Sequence, residues 1–312
     1  MTKWHYVNGY AGTVPDLKLA LPAIVAMAMW ATNFAFSPVV LADIGVMQLS
    51  GVRWLIALVA LIPLALWREK SDWSTIRREF PVHLVQALLG YVGYTLLVYS
   101  ALQSTSPVTV AVLVALNPAT IAIAAHFVLK DRITQIAIVG LAVSFVGALV
   151  VVLGGQSFED LHVTSGDVLV LLATVLWTVY SLIAPRVQTP PITATAVQAT
   201  LAALIMIPLM LVDEVIVNPG SWTTVEGADW WGILWIGLIP SAGAYFLWNV
   251  SSERIGPTRT GAFLNLIPVF TAVLVVFLGG SVTVWHLIGG ALVLLGVALT
   301  ERRTAVVPER LT

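Results

Sequence analysis

The sequence predicts an all-helical integral membrane bundle of ten spans, arranged as two inverted five-helix repeats. Three observations predict it. Of 312 residues, 59% are hydrophobic and only 10% charged, with a mean hydropathy of +0.94, whereas soluble chains hold roughly 45–50% apolar and about 25% charged residues. Apolar stretches of about 20 residues, the length of helix that crosses a hydrocarbon core, recur ten times. The chain also matches itself at a shift of 145 to 150 residues. Spans of this length must be helices, because lipid offers no partner to bare backbone, and the alternation of barrel strands is absent.

The spans run in order over 17–40, 46–67, 82–103, 107–129, 133–153, 167–187, 193–212, 230–250, 257–279 and 283–300. The first carries Trp30 and Asn33 one turn apart, with Pro38 beyond them. The second holds Arg53 about two turns in, where a charge must face protein or water rather than lipid. The third places Tyr91 and Tyr94 one turn apart near its middle, suited to stacking on an apolar or aromatic substrate. The fourth carries Asn117 before Pro118, and the fifth has a small-residue seam of Gly140, Ser144 and Gly147, which favours close helix packing.

The second half repeats this series. Trp177 and Tyr180 in the sixth span take the places of Trp30 and Asn33, and Gln198 in the seventh takes that of Arg53. The eighth span sets Tyr245, Trp248 and Asn249 at i, i+3 and i+4, a polar-aromatic stripe. Asn265 precedes Pro268 in the ninth, and the tenth has Gly289, Gly290 and Gly296. A proline releases a backbone carbonyl one turn earlier, so both Asn–Pro regions are candidate ligand sites or hinges. By contrast Trp67, Trp73, Trp222, Trp230, Trp231 and Trp285 lie at span ends and read as an interfacial belt.

The repeat rests on costly residues. Pro63, Pro107 and Pro118 recur as Pro208, Pro257 and Pro268, and proline is disfavoured inside helices, so chance matching of apolar sequence is a poor account. The predicted divisions are a cytoplasmic N-terminal segment 1–16, a first repeat 17–153, an outer connection 154–165, a second repeat 166–300 and a cytoplasmic tail 301–312. Five is odd, so the second copy enters the membrane from the opposite face, as in many secondary transporters whose substrate site lies between inverted copies.

Charge supplies the orientation. Lys3, Lys18, Arg68, Lys70, Arg77, Arg78, Lys130, Arg132, Arg186, Arg254, Arg259, Arg302, Arg303 and Arg310, 14 of the 15 basic residues, fall on the side of the N-terminus. The opposite connections carry Asp43, Glu159, Asp160, Asp167, Asp213, Glu214, Glu226 and Asp229. The positive-inside rule therefore places both termini in the cytoplasm, and a bacterial-type inner membrane is the expected location. The basic cluster from Arg68 to Arg78 is an orientation signal that can also touch anionic lipid. Residues 1–16 lack a signal-peptide pattern.

Several function classes are excluded. A net charge of -1 provides no basic surface for nucleic acid. The absence of Cys removes disulfides, iron–sulfur clusters and thiolate sites. HExxH, GxSxG and GxxxxGK[ST] are missing, so neither an enzyme, a metal site nor a cofactor is expected. Each of the 16 acids falls in a connection, a tail or within a turn of a span end, which favours facilitated diffusion or exchange over ion coupling. His126 and Arg53 are the intramembrane groups left for coupling.

Certain stretches carry a family resemblance: Met29-Trp30-Ala31-Thr32-Asn33-Phe34, Val52-Arg53-Trp54, Tyr99-Ser100-Ala101-Leu102, Leu116-Asn117-Pro118, Leu247-Trp248-Asn249, Ile255-Gly256-Pro257-Thr258-Arg259 and Leu264-Asn265-Leu266-Ile267-Pro268. The chain resembles the EamA-type branch of the drug/metabolite transporter superfamily over essentially its whole length. The resemblance implies a ten-helix basket and an exporter of small metabolites; the branch includes exporters of amino acids, YddG-type exporters of aromatic amino acids among them. On this reading Trp30, Asn33, Tyr91, Tyr94, Asn117, Trp177, Tyr180, Tyr245, Trp248 and Asn265 are candidate substrate-binding residues. Arg53 is a gating or structural charge, with substrate-carboxylate anchor as its alternative role. The expected partners are a small-molecule substrate and membrane lipid. Competing readings are a proton-coupled exporter of hydrophobic drugs and a non-transporting scaffold or receptor. A scaffold does not need Asn, Tyr and Trp facing inward at the midplane.

Overall fold

The computed structural model describes residues 17–104, 110, 113–130, 133–153, 164–220, 222, 225–277 and 283–301. The expected segment 1–16, the tail beyond 301, nearly all of the connection 154–165 and the start of the fourth span lie outside the described residues. The helices follow the predicted order. They are α1 (Leu17–Asp43), α2 (Val46–Arg68), α3 (Trp73–Ala101), α4 (Asn117–Leu129), α5 (Gln135–Leu153) and α6 (Ser165–Arg186). In the second half come α7 (Pro191–Val217), α8 in the segments Gly227–Ile236, Gly237–Gly243 and Ala244–Ile255, α9 in the segments Pro257–Ala262, Phe263–Asn265 and Leu266–Phe277, and α10 (Val284–Glu301). Helices α1 to α3 and α6 to α8 are each long and apolar enough to cross a membrane, and α4, α5 and α10 add shorter apolar helices.

Local chemistry sets the ends. Asp72 accepts from the Ser74 N–H at 3.0 Å and caps α3, so this helix begins well before the apolar run and takes Glu79 and His83 inside it. Capping boxes of Thr164 with Asp167 and of Glu226 with Asp229 start α6 and α8, satisfying orphan N–H groups on the acidic side. Between α8 and α9, Gly256 adopts φ 81°, a conformation that glycine reaches without the Cβ penalty, and Pro257 opens the next helix at its first position.

Packing follows the repeat. Helix α2 lies against α7, and α5 against α10; α1 packs on α8 and α9, while α6 packs on α3 and α4. Exchanging each helix with its counterpart five places on leaves this set of neighbours unchanged, as an inverted pair of copies requires. The α5–α10 contact is a backbone seam. A Cβ on Gly147 would stand 2.7 Å from the Gly289 carbonyl, and one on Gly296 would stand 2.5 Å from the Gly140 carbonyl. Gly290 is not part of it: its nearest neighbour would be a Val269 methyl at 3.7 Å.

The repeat reaches the backbone register. Both α3 and α8 pass through a seven-residue π-helical segment, Ala87–Gly93 and Gly237–Gly243, displaced by the 150 residues that relate Pro107 to Pro257. In α8 the cause is Pro240, which lacks the N–H that would reach the Ile236 carbonyl; the Ser241 hydroxyl donates to that carbonyl at 2.6 Å. In α3 the corresponding residue is Gly90, against which the Tyr180 ring packs so closely that a Cβ would lie 2.6 Å from it. Such bulges turn the following side chains to a new face and recur at functional sites.

Candidate functional site

The two π segments offer carbonyls to the middle of the bundle. Trp30 donates its indole N–H to the Pro240 carbonyl at 3.1 Å, and the Tyr245 hydroxyl donates to the Gly90 carbonyl at 2.7 Å. Pro240 and Gly90 are repeat counterparts, so each copy presents the same carbonyl to an aromatic side chain. These bonds anchor a cluster of rings. Trp30 meets Trp177 at 5.2 Å, Tyr245 at 5.5 Å and Trp248 at 5.5 Å between centroids. Tyr91 lies 4.4 Å from Tyr245 and 4.7 Å from Trp54, and Tyr94 lies 5.0 Å from Trp177. Most are tilted or edge-on, the arrangements favoured by ring quadrupoles.

Beside this cluster, in the half of the bundle nearer the acidic connections, lies a cavity of about 40 Å³ lined by Trp30, Asn33, Phe34, Arg53, Tyr94, Thr95, Val98, Tyr99, Val114, Trp177, Tyr245, Leu264 and Ile267. It accommodates a few water molecules and not an amino acid, so a substrate enters only as the helices separate. Among the predicted residues Trp30, Asn33, Tyr94, Trp177, Tyr245 and Arg53 line it. Tyr91, Tyr180 and Trp248 stand behind in the same ring cluster, fully buried. Asn117 and Asn265 do neither: Asn265 donates to the Ser144 hydroxyl on α5 at 2.9 Å, and Asn117 is buried at the start of α4.

Among the described residues Arg53 is the one charged side chain on the cavity wall. It is 3% exposed and donates from Nε to Ser241 at 2.7 Å and from a terminal nitrogen to the Tyr99 hydroxyl at 2.5 Å. Tyr99 in turn donates to Asn33 Oδ1 at 3.0 Å, which also receives the Ser37 hydroxyl at 3.1 Å. The guanidinium carbon lies 5.0 Å from the Trp54 ring and 5.6 Å from that of Tyr99, within cation–π range. Among the described residues no carboxylate pairs with it. The buried indole N–H groups of Trp54, Trp177 and Trp248 find no partner among the described residues either. His126 is exposed on α4, outside the cavity lining.

Trp54 and Tyr99 lie in stretches that carry the family resemblance but are not among the candidate site residues, and Thr95 and Ser241 are in neither set. Thr95 and Tyr99 follow Tyr91 at i+4 and i+8, so helical spacing contained the signal for both. Ser241 had no comparable signal, because its inward aim depends on the π segment around Pro240.

Between the rings and the basic end, a second set of polar side chains is closed by hydrogen bonds. The Tyr180 hydroxyl donates to Asn249 Oδ1 at 2.9 Å, and Asn249 donates to the Thr195 hydroxyl at 3.0 Å. Gln198 donates to Gln86 Oε1 at 2.7 Å and faces His83 Nδ1 at 3.4 Å. The Thr189 hydroxyl gives its proton to Glu79 at 2.8 Å, so at 3.1 Å from His83 Nε2 it acts as acceptor. Glu79 also receives the backbone N–H groups of Gln188 and Thr189 at 3.0 Å. Glu69, just past α2, receives the N–H groups of Ile192 and Thr193 at 3.0 and 2.7 Å and the Thr193 hydroxyl at 2.8 Å. Those N–H groups are orphans of the first turn of α7, where a carboxylate also complements the helix dipole. Two acids of the first half thereby hold the α6–α7 connection of the second.

Comparison with known proteins identifies the architecture. The model of the EamA-like transporter family matches residues 17–153 and again 164–302. The chain is 28% identical over 254 residues to the uncharacterized transporter YyaM of Bacillus subtilis, covering 80% of this chain and 82% of that one. It is 28% identical over 288 residues to a probable terminal-alkyne amino-acid exporter of Streptantibioticus cattleyicolor, covering 90% and 92%. It is 25% identical over 213 residues to the aromatic amino acid exporter YddG of Ancylobacter novellus, covering 66% and 70%. A crystal structure sharing 22% identity superimposes with a TM-score of 0.75 over 90% of this chain and 96% of its own, a likeness of fold alone.

Proposed function

The chain belongs to the EamA-like transporter family, and within that family we propose that it exports α-amino acids with apolar or aromatic side chains. The observation that carries this reading is Arg53: a buried guanidinium on the wall of an aromatic cavity with no carboxylate beside it among the described residues. A buried charge is costly unless paired, and an arginine fork matches a carboxylate in a two-point, charge-assisted contact. Substrate carboxylate at Arg53 completes that pairing, and Trp30, Tyr94, Trp177 and Tyr245 then receive the side chain. This assigns Arg53 the anchoring role in place of a merely structural one. Two relatives named as amino-acid exporters support the substrate class.

The transport cycle follows from the two ends. The cavity lies in the half nearer the acidic connections, which the charge asymmetry assigns to the outside, while Glu69 and Glu79 bind the basic, cytoplasmic end shut. Export requires release of that end, capture of substrate between the repeats, and rocking of α1–α5 against α6–α10. Among the described residues no acid lines the cavity, which supports passive coupling. Uptake of radiolabelled amino acids and of one hydrophobic drug into proteoliposomes, with and without an imposed pH gradient, tests the reading. Saturable amino-acid flux indifferent to the gradient supports it, and gradient-driven drug flux replaces it with multidrug export.

A further inference from the structure

A second, smaller cavity sits among α3, α7 and α8 at the basic end, lined by Gln86, Thr189, Gln198, Asn249 and Glu253 among others. The repeat relates it to the first. Arg53 maps to Gln198 at a shift of 145, Tyr99 maps to Asn249 at 150, and Asn33 maps to Tyr180 at 147. The Tyr99–Asn33 bond of 3.0 Å thus reappears as the Tyr180–Asn249 bond of 2.9 Å with tyrosine and amide exchanged. This cavity has also kept binding capacity. Gln86 and Gln198 are each 1% exposed, yet Nε2 of Gln86 and Oε1 of Gln198 have no partner among the described residues. A buried donor and a buried acceptor left over are costly unless a ligand or water takes them.

We propose that this cavity, which at about 10 Å³ admits only water while the basic end is closed, becomes on opening a cytoplasmic-side reception station for the zwitterionic head of the amino acid, occupied before the head passes to Arg53. The inference rests on the amino-acid reading above. A zwitterion needs an acceptor for its ammonium and a donor for its carboxylate; the Gln198 carbonyl and the Gln86 amide supply one of each. Glu253, on the cavity wall, adds an anionic contact for the ammonium. Neutral amides hold a carboxylate more weakly than a guanidinium does, so the head moves from a weaker to a stronger partner along the export direction. The Asn249–Tyr180 bond leads from this station to the ring cluster. Thr189, which lines the cavity, is held by Glu79, so the same connection that closes the basic end covers the station.

The test is phenylalanine flux in proteoliposomes of scored orientation, with half-saturation measured separately for substrate offered at the basic and at the acidic end. Gln86→Ala and Gln198→Ala are compared with wild type, and tryptophan fluorescence and monodispersity confirm the fold. The expected result is a rise of about tenfold in half-saturation from the basic end, the effect of one or two lost hydrogen bonds, with the acidic-end value within about twofold of wild type. An equal rise at both ends means that the glutamines merely support the bundle, and no change means that the cavity holds only water; either overturns the station. A wild-type protein that moves no phenylalanine sinks the amino-acid reading and the station with it. Intact wild-type flux with a symmetric or null variant effect sinks the station alone.

Discussion

Tyr180 donates to Asn249 across 2.9 Å, and this bond is the repeat image of the one from Tyr99 to Asn33 at 3.0 Å. Each joins a different pair of helices, α6 to α8 and α3 to α1, which are counterparts under the exchange of the two copies. The symmetry therefore extends from helix order to individual hydrogen bonds. In charge it is broken at Arg53, whose counterpart is Gln198, so among the described lining residues a fixed positive charge stands at the first cavity and not at the second.

The Tyr99 hydroxyl both accepts from Arg53 and donates to Asn33. Tyr99→Phe removes the link while keeping the ring under the guanidinium. The expected outcome is an intact fold with substrate affinity about five- to tenfold weaker, the range of one hydrogen bond to a charged group. A binding titration followed by tryptophan fluorescence checks it.

Tyr94 and Trp177 face the cavity and each other at 5.0 Å. Tyr94→Ala and Trp177→Ala should weaken transport of aromatic substrates by about tenfold or more, since each ring pair contributes roughly 0.5–1.5 kcal/mol beyond its buried area, while protein yield stays near wild type. Asn265→Ala is the contrast. It leaves the Ser144 hydroxyl on α5 without its donor and lies off the cavity, so it should lower thermal stability with little change in substrate affinity.

The α5–α10 seam separates two glycines in the same helix. Gly296→Ala places a methyl group 2.3 Å from the Ser144 backbone nitrogen, whereas Gly290→Ala meets nothing nearer than 3.7 Å. Overpacking costs typically 1–3 kcal/mol and sometimes more, so the first should drop the melting temperature or the yield sharply and the second should be tolerated. A thermal melt of both variants in detergent decides it.

Glu69 and Glu79 close the basic end through backbone N–H groups. Glu69→Gln with Glu79→Gln retains size and removes the charge that strengthens those bonds. Because the chain contains no Cys, a single Thr195→Cys reports access by an impermeant thiol reagent. In the double glutamine background its labelling from the basic end should rise by about tenfold or more, and labelling at the wild-type rate would show that the clamp does not hold the end shut.

Much of this was legible in the sequence for a physical reason. Hydropathy locates spans, and prolines at fixed shifts expose the repeat, so the ten helices and the inward role of Trp30, Trp177 and Tyr245 follow from pattern. Hydropathy does not state which face of an apolar helix turns inward, and Asn117 and Asn265, candidates because they stand beside Pro118 and Pro268, lie off the cavity lining. The acids at 69 and 79 read as loop residues because α3 begins at the Asp72 cap, ahead of its apolar run. The π segments have a faint signature in Gly93 and Gly243, which share the 150-residue shift, but glycine alone does not reveal a changed hydrogen-bond register.

The account turns on Arg53 holding a substrate carboxylate. The most direct measurement compares phenylalanine with 2-phenylethylamine, which lacks the carboxylate, for binding to wild type and to Arg53→Gln. The prediction is saturable phenylalanine binding by wild type, at least about tenfold weaker binding of the amine, and loss of that discrimination in a well-folded Arg53→Gln protein. Equal binding of both compounds by wild type, or full discrimination surviving in the variant, would contradict it.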